Sequence, residues 1–253
     1  MKNIENRILI TNLDAITLLS IGSPENYEKI IEEWAKSYLK EKCGKYLRVE
    51  KLGGAGDKGR DIVCTINDKS DEWDNYQCKH YHKPISPSMV WVEFAKLIYY
   101  VFIGDYSTPV NYYFVSPLGV GAKFRDLLKT PDEIKKGLIA NWDKYCKEKV
   151  TSIKIIELDD TLISFIDDFD FSIFDYISPS DFIDQFKLTP YYTQRFGRLY
   201  KPRPLTECPD EIEPFEMEYI KKILQAYSDY LNEHVDKYEQ LNKRIQPVNP
   251  CLN

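Results

Sequence analysis

Three polar residues in the first third of the chain have the types and spacing that phosphodiester hydrolysis requires. Asp61 follows the glycine-rich segment Gly53–Gly59 and begins an apolar run. Gln77 and Lys79 lie two residues apart in a later run, so on a β-strand both side chains point to the same face. A carboxylate, an amide and an ammonium at one edge of a sheet could bind a divalent cation and stabilise the charge of a phosphoryl transition state.

The cation that suits such a set is Mg²⁺, for which Mn²⁺ could substitute. Asp61 and the backbone carbonyl of Cys78 would supply hard oxygen ligands and leave positions for water and phosphate. Lys79 would then orient the attacking hydroxide. Two neighbouring residues carry open alternatives: Asp57 could ligate a second metal or cap its loop, and His80 could contact a phosphate or end its strand at the surface.

The elements that must position these residues can be read from apolar periodicity. Ser23 and Pro24 open a helix whose apolar stripe begins at Tyr27, and Gly44 ends it. Further helices are predicted over 88–102 and, from a capping box at Thr130, to about Lys147. Strands are predicted over 46–52, 62–66, 74–80, 111–115 and 152–158. This order predicts an α/β fold in which a mixed sheet is flanked by helices.

Composition bounds the class of protein. The chain has 253 residues, a formal charge of -6 and 43% hydrophobic residues, which is typical of a globular protein. Six cysteines are scattered without a CxxC pair, and no apolar run reaches 18 residues. We therefore expect a reduced, cytoplasmic protein without a membrane span. The negative charge argues against a protein that coats nucleic acid, but a nuclease needs acidic ligands locally.

The charge pattern changes after the predicted core of residues 1–158. Residues 159–206 are first acidic and aromatic and then basic, and are predicted to be a connector. Its basic part includes Arg195 and Arg198, which could track a DNA backbone or belong to a solvated linker. Residues 207–253 are predicted to form a helical segment for oligomerisation or partner binding, with an aromatic stripe from Phe215 to Leu241.

The ordered motifs resemble the PD-(D/E)XK restriction-endonuclease superfamily, in its Gln-x-Lys branch that includes Mrr-type enzymes. The matching residues are Tyr27-Glu28, the segment Gly53–Asp61, and Gln77-Cys78-Lys79. The resemblance implies a restriction-endonuclease-like core and Mg²⁺-dependent DNA cleavage, with Glu28 as a further catalytic carboxylate and metal ligand. A helical wheel supports this, because Glu28 lies at the inner margin of the apolar stripe while Glu32 and Glu33 turn progressively outward. Lys58, Arg60 and His80 are the adjoining candidates for DNA contact.

The segment that follows Leu188, TPYYTQRFGRLYKPRP, is similar to nuclease subunits of bacterial anti-phage systems of the Lamassu type or the cyclic-nucleotide-signalling type. That resemblance implies an antiviral effector which cleaves double-stranded DNA and is held inactive until a partner, such as an SMC-like ATPase, or homo-oligomerisation releases it. Two alternatives stay open. One is a non-catalytic scaffold that keeps the nuclease fold for DNA or partner binding, and the other is an RNase or nickase that uses the same residues.

Overall fold

The computed structural model describes residues 14–54, 56–67, 69, 71–196 and 217–237. The chain divides into two compact units, Met1–Tyr200 and Lys201–Asn253. The first unit contains a five-stranded sheet with helices on both faces. The described part of the second unit contains one long helix. In the described part of the chain, no helix is long and apolar enough to cross a membrane.

The sheet is mixed, and its strands lie in the order in which they occur in the sequence. The first three strands pair antiparallel, and the last two pair parallel with the strand before them. The strands are β1 (Arg48–Lys51), β2 (Ile62–Asn67), β3 (Glu72–Cys78), β4 (Asn111–Val115) and β5 (Phe174–Ile177). This confirms the predicted α/β class with a mixed sheet flanked by helices.

Helices lie before β1, between β3 and β4, between β4 and β5, and after β5, and they cover the sheet. The α-helices are α1 (Ala15–Ile21), α2 (Pro24–Trp34), α3 (Trp91–Phe102), α4 (Ala122–Leu128), α5 (Pro131–Asn141), α6 (Asp160–Asp168), α7 (Pro179–Phe186), α8 (Pro190–Phe196) and α9 (Met217–Leu231). Two of them continue as π-helical turns, α2 through Ala35–Lys42 and α5 through Trp142–Cys146. As predicted, Ser23 caps α2: its hydroxyl accepts the Asn26 N–H.

Each face of the sheet has its own apolar core. On one face, residues of α3 to α6 pack against β4 and β5 around Phe94, Leu97, Tyr112, Phe114 and Phe174. On the other face, α1, α2, α7 and α8 pack against β2 and β3 around Ile31, Trp34, Ile62, Tyr76 and Phe182. Alternate residues of β3 therefore belong to different layers: Tyr76 and Cys78 face α2, while Gln77 faces α3.

The prediction of a final strand over 152–158 is wrong. Ile153 and Ile155, which created the apolar alternation, are 90% and 57% exposed and pair with no strand. The fifth strand is instead β5, which lies inside the predicted connector of residues 159–206 and pairs in parallel with β4. The core therefore does not end at residue 158, because the predicted connector after it supplies a strand and the helices α6, α7 and α8.

One helix cap and one helix end differ from the sequence prediction. The helix after Thr130 begins at Pro131 as predicted, but the capping box does not form, since the Thr130 hydroxyl donates to the carbonyls of Asp126 and Leu127 in the preceding turn. The C-terminal helix was predicted to reach Leu241 but ends at Leu231. The next residue, Asn232, adopts a left-handed conformation with φ of 55°.

Candidate active site

Asp61 lies between the glycine loop and β2, where it connects the first three strands. Its carbonyl accepts the N–H of Leu52 at 2.8 Å, and its carboxylate Oδ2 accepts the backbone N–H of Cys78 at 2.7 Å. The loop before it turns tightly at Gly59, with φ of 84°, where a Cβ atom would come 3.0 Å from the Lys96 Cβ. Asp57 caps this turn, because its Oδ1 accepts the Gly59 N–H at 3.0 Å. Of the two alternatives for Asp57, this hydrogen bond corresponds to loop capping.

Gln77 is buried at 2% exposure on the α3 face of the sheet. Its Oε1 accepts from the hydroxyl of Tyr112 at 2.8 Å, and the same hydroxyl lies 3.0 Å from the Gly59 carbonyl. The single proton of Tyr112 is therefore shared between the amide and the glycine loop. Gln77 thus fixes the loop that carries Asp61, and its amide oxygen is already engaged.

Lys79 forms a buried ion pair with Glu93, which lies in the first turn of α3. The Lys79 Nζ is 2.8 Å from the Glu93 Oε1, and the two side chains are only 15% and 6% exposed. The other carboxylate oxygen, Glu93 Oε2, is buried and has no hydrogen-bond partner among the residues that the structure describes. An unpartnered oxygen of this kind is expected where a cation, a proton or an ordered water completes the site.

The charges of Asp61, Lys79 and Glu93 act on one another. Burial raises the pKa of Asp61 to about 7, with further raising by Glu93 and Asp57, although Lys79 and the Cys78 N–H act in the opposite direction. Burial also disfavours the charged form of Lys79, but Glu93 and Asp61 outweigh it and hold the pKa of Lys79 above its ordinary value. Lys79 is thus a fixed cation beside one carboxyl group that titrates near neutrality.

Asp74 is a second buried carboxylate, and protein groups satisfy both of its oxygens. Asp74 is completely buried on β3. It accepts from the Tyr46 hydroxyl at 2.5 Å and from the Asn111 amide at 2.8 Å, and it pairs with Lys45 at 2.9 Å. Both of its oxygens are therefore engaged, unlike those of Glu93. That difference marks the Asp61–Lys79–Glu93 group, rather than Asp74, as the candidate active site.

Glu28, the expected helical ligand, does not join this group. Its Oε2 pairs with the Lys51 Nζ at 2.8 Å on the α2 side of the sheet, whereas Asp61 and Lys79 interact with Glu93 on the α3 side. The wheel put Glu28 closest to the apolar stripe, yet its side chain is 29% exposed, against 21% for Glu32 and 13% for Glu33, and the wheel could not say which side of the sheet would carry the site. Of the other two acids, Glu32 pairs with Lys36 within its own helix.

Glu33 and Arg195 also lie differently from expectation. Glu33 was expected to face solvent, yet its carboxylate is 13% exposed and binds both the Nε and Nη2 atoms of Arg195 from α8. Arg195 additionally donates to Asn26 at 3.0 Å. Its guanidinium therefore joins α8 to α2 and uses three of its five N–H donors within the protein. Arg198, the companion candidate, lies outside the described residues.

The candidates for DNA contact near the loop differ in how fully they are engaged. The Lys58 Nζ binds both oxygens of Asp105, at 2.6 and 2.7 Å. The His80 Nε2 lies 2.8 Å from the Leu19 carbonyl, so this histidine joins β3 to α1. The Arg60 guanidinium stacks 4.0 Å from the centre of the Tyr106 ring. Of the three, Arg60 keeps the most hydrogen-bonding capacity for a ligand.

The chemistry of the donors fits a magnesium-like cation, with fewer ligands than expected. Among the described residues, no group of three or more His, Cys, Asp and Glu side chains is placed to hold a metal ion. Glu93 nevertheless lies near enough to Asp61 for its charge to raise the pKa of Asp61, and the Oε2 atom of Glu93 has no hydrogen-bond partner in the described part of the chain. Mg²⁺ commonly binds proteins through one or two carboxylates, with water and substrate phosphate as its other ligands. These two residues, with the Cys78 carbonyl, are the group that could hold it.

Comparisons of the chain with protein-family models, with curated proteins and with solved structures find no match.

Glu93 is the functional candidate that sequence reasoning missed. The helix over 88–102 was predicted, and Val90 and Leu97 are both fully buried in the structure. Glu93 lies three residues after Val90 and four before Leu97, so the same periodicity puts its carboxylate on the buried side. An acidic residue on an apolar stripe was thus the available signal. It became specific only when α3 was placed against Lys79.

Proposed function

We propose that this protein is a metal-dependent endonuclease that hydrolyses phosphodiester bonds of DNA, with a restriction-endonuclease-like core. The observation that carries the proposal is the buried group of Asp61, Lys79 and Glu93, in which one carboxylate oxygen lacks a partner. The order of the motifs supports it as well, because Asp61, Gln77 and Lys79 come from the loop and strand that the resemblance implies.

Each residue has a role that follows from its position. Asp61 and Glu93 would hold a divalent cation, Mg²⁺ or Mn²⁺, through their carboxylates. When bound, such a cation supplies Lewis-acid stabilisation of the phosphoryl oxygens. Lys79 would donate hydrogen bonds to the scissile phosphate and stabilise the charge that develops on it. Gln77 and Tyr112 would act as positioning residues, since they hold the glycine loop that presents Asp61.

The deciding experiment is plasmid cleavage by the purified full chain in Mg²⁺, Mn²⁺ or EDTA. We expect metal-dependent nicking or linearisation, and a loss of about 100-fold or more in the rate for Lys79→Met and Glu93→Gln. Lys136→Met is the matched control, because Lys136 and Glu133 form a lysine–glutamate pair that is 70% and 58% exposed. A folded Lys79→Met protein that cleaves at the wild-type rate would contradict the assignment.

A non-catalytic scaffold that binds DNA or a partner is the second candidate. Two observations favour it: the Gln77 oxygen is engaged by Tyr112, and Glu28 is held by Lys51 on the other side of the sheet. A scaffold would bind DNA with an affinity that Lys79→Met leaves unchanged, and it would show no cleavage at any protein concentration. An effector that is activated by self-assembly would instead begin to cleave as its concentration is raised.

The biological setting of the proposal comes from the resemblance of the segment after Leu188. The protein would act as the regulated nuclease of a bacterial anti-phage system, controlled by homo-oligomerisation or by an SMC-like ATPase or other defence subunit. RNA remains an alternative substrate, since discrimination depends on groove shape and 2′-hydroxyl contacts. Parallel cleavage assays on double-stranded DNA and on RNA of the same sequence separate the two.

A further inference from the structure

A cavity of about 360 Å³ opens on the same side of the sheet as the candidate active site. Its lining includes Thr65 of β2 and Arg60 of the loop before that strand. Asp61 follows Arg60 directly, and along β2 the residues Asp61, Val63 and Thr65 alternate onto one face. Residues two apart on a strand are separated by about 7 Å. Val63 lines the cavity and lies two residues after Asp61, so the near edge of the cavity is about this far from Asp61. It therefore adjoins the position where a scissile phosphate would lie.

The Arg60 side chain is held at this cavity, and most of its hydrogen-bond donors are not used by other protein groups. Its guanidinium stacks on the Tyr106 ring at 4.0 Å, and its Nε donates to the Asp57 carbonyl at 3.2 Å. The arginine side chain has five N–H donors, and within the part of the chain that the structure describes the guanidinium of Arg60 makes no other hydrogen bond or ion pair. A planar cation that is held flat and keeps free donors is suited to binding a phosphate.

The remaining walls suit a nucleobase. Trp73 and Tyr106 form an edge-to-face aromatic pair, with ring centres 5.8 Å apart. Asp71 and Glu72 line the same cavity, and neither carboxylate has an ion pair among the described residues. Carboxylates would repel a phosphate, but they accept hydrogen bonds from exocyclic amino groups such as the cytosine N4. The phosphate would thus lie at Arg60 and an amino-bearing base at the acidic wall.

From this arrangement we infer that the cavity binds one unpaired or extruded nucleotide of the DNA strand, next to the bond that is cut. The inference rests on the proposed nuclease function and names a subsite of it. A base that is paired and stacked inside a duplex cannot insert into the cavity, so the nucleotide must come from a single-stranded region or leave its stack. Cytosine and adenine, which carry exocyclic amino groups, would bind better than thymine, which has none.

The test measures binding in EDTA, where no cleavage occurs. Fluorescence anisotropy would compare labelled single strands of about twelve residues, all cytosine or all thymine, at pH 8 and fixed salt. We expect the wild type to prefer the cytosine strand by about tenfold, which corresponds to about 1.4 kcal/mol. Thr65→Trp, which fills the cavity, should weaken binding of the cytosine strand about tenfold.

Two double variants with the same change in charge isolate the acidic wall. Asp71→Asn with Glu72→Gln should abolish the preference for cytosine. Asp132→Asn with Glu133→Gln, in the exposed first turn of α5, should preserve it. Equal affinity of the wild type for the two strands, or a preference that survives the Asp71 and Glu72 changes, would overturn the inference.

The source of the nucleotide and the proposed function are tested separately. If free dCMP displaced the cytosine strand at equal concentration, the cavity would bind mononucleotides and the strand subsite would be refuted. If binding in EDTA ignored all cavity variants while plasmid cleavage still required Lys79 and Mg²⁺, the subsite alone would fail. If the cavity preferred cytosine but no metal supported cleavage, the nuclease proposal would fail, and with it the placement of this subsite beside a cut bond.

Discussion

Replacing Asp61 with asparagine is expected to remove a large part of the pH dependence of folding stability between about pH 4 and pH 7. Burial raises the pKa of Asp61 from the ordinary 3.8 to about 7 in the folded protein. Within that window the folded chain retains a proton on Asp61 that the unfolded chain has lost. The free energy of unfolding therefore falls as pH rises, by up to about 1.4 kcal/mol per pH unit for this group. Over the whole window the loss is about 4 kcal/mol.

The assay is urea unfolding of the metal-free protein in EDTA, followed by tryptophan fluorescence at about pH 5 and about pH 7. Between these two pH values, the free energy of unfolding should fall by roughly 2 to 3 kcal/mol more in the wild type than in Asp61→Asn, because the amide of the variant cannot ionise. Asp132→Asn serves as control, because Asp132 is exposed in the first turn of α5. Parallel pH profiles for the wild type and Asp61→Asn would refute the conclusion that Asp61 is buried beside Glu93.

Two further predictions concern packing around the site. Lys79→Met should lower the free energy of unfolding by about 3 kcal/mol because it leaves Glu93 buried without its cation, and adding Glu93→Gln should restore part of this loss. Urea denaturation of the wild type, the two single variants and the double variant measures the coupling between the two residues. Additive effects would contradict the ion pair. Gly137→Ala should destabilise the protein by about 1 to 3 kcal/mol, despite the higher helix propensity of alanine, because its Cβ would lie 2.5 Å from Trp91; an unchanged thermal midpoint would show that the ring can move aside.

Local patterns were sufficient for most of the elements around the site. Ser23 and Pro24 opened the helix where the capping rules place it, and the strand over 111–115 has the predicted bounds, because both signals depend on neighbouring residues only. The failures involve long-range pairing. Residues 152–158 alternate as a strand should, but no neighbouring strand is available to pair with them. Phe174–Ile177 became the fifth strand because it can pair with β4.

Local sequence patterns are enough to predict the loop and strand that carry Asp61, Gln77 and Lys79, since strand alternation puts Gln77 and Lys79 on one face. Which acidic side chain pairs with Lys79 depends instead on how the helices pack against the sheet. The helix of Glu28 and the helix of Glu93 pack against opposite faces of the same sheet, and the side that carries Lys79 binds Glu93. The face that each helix covers depends on long-range packing of the whole chain, and the spacing of residues within a helix does not indicate it.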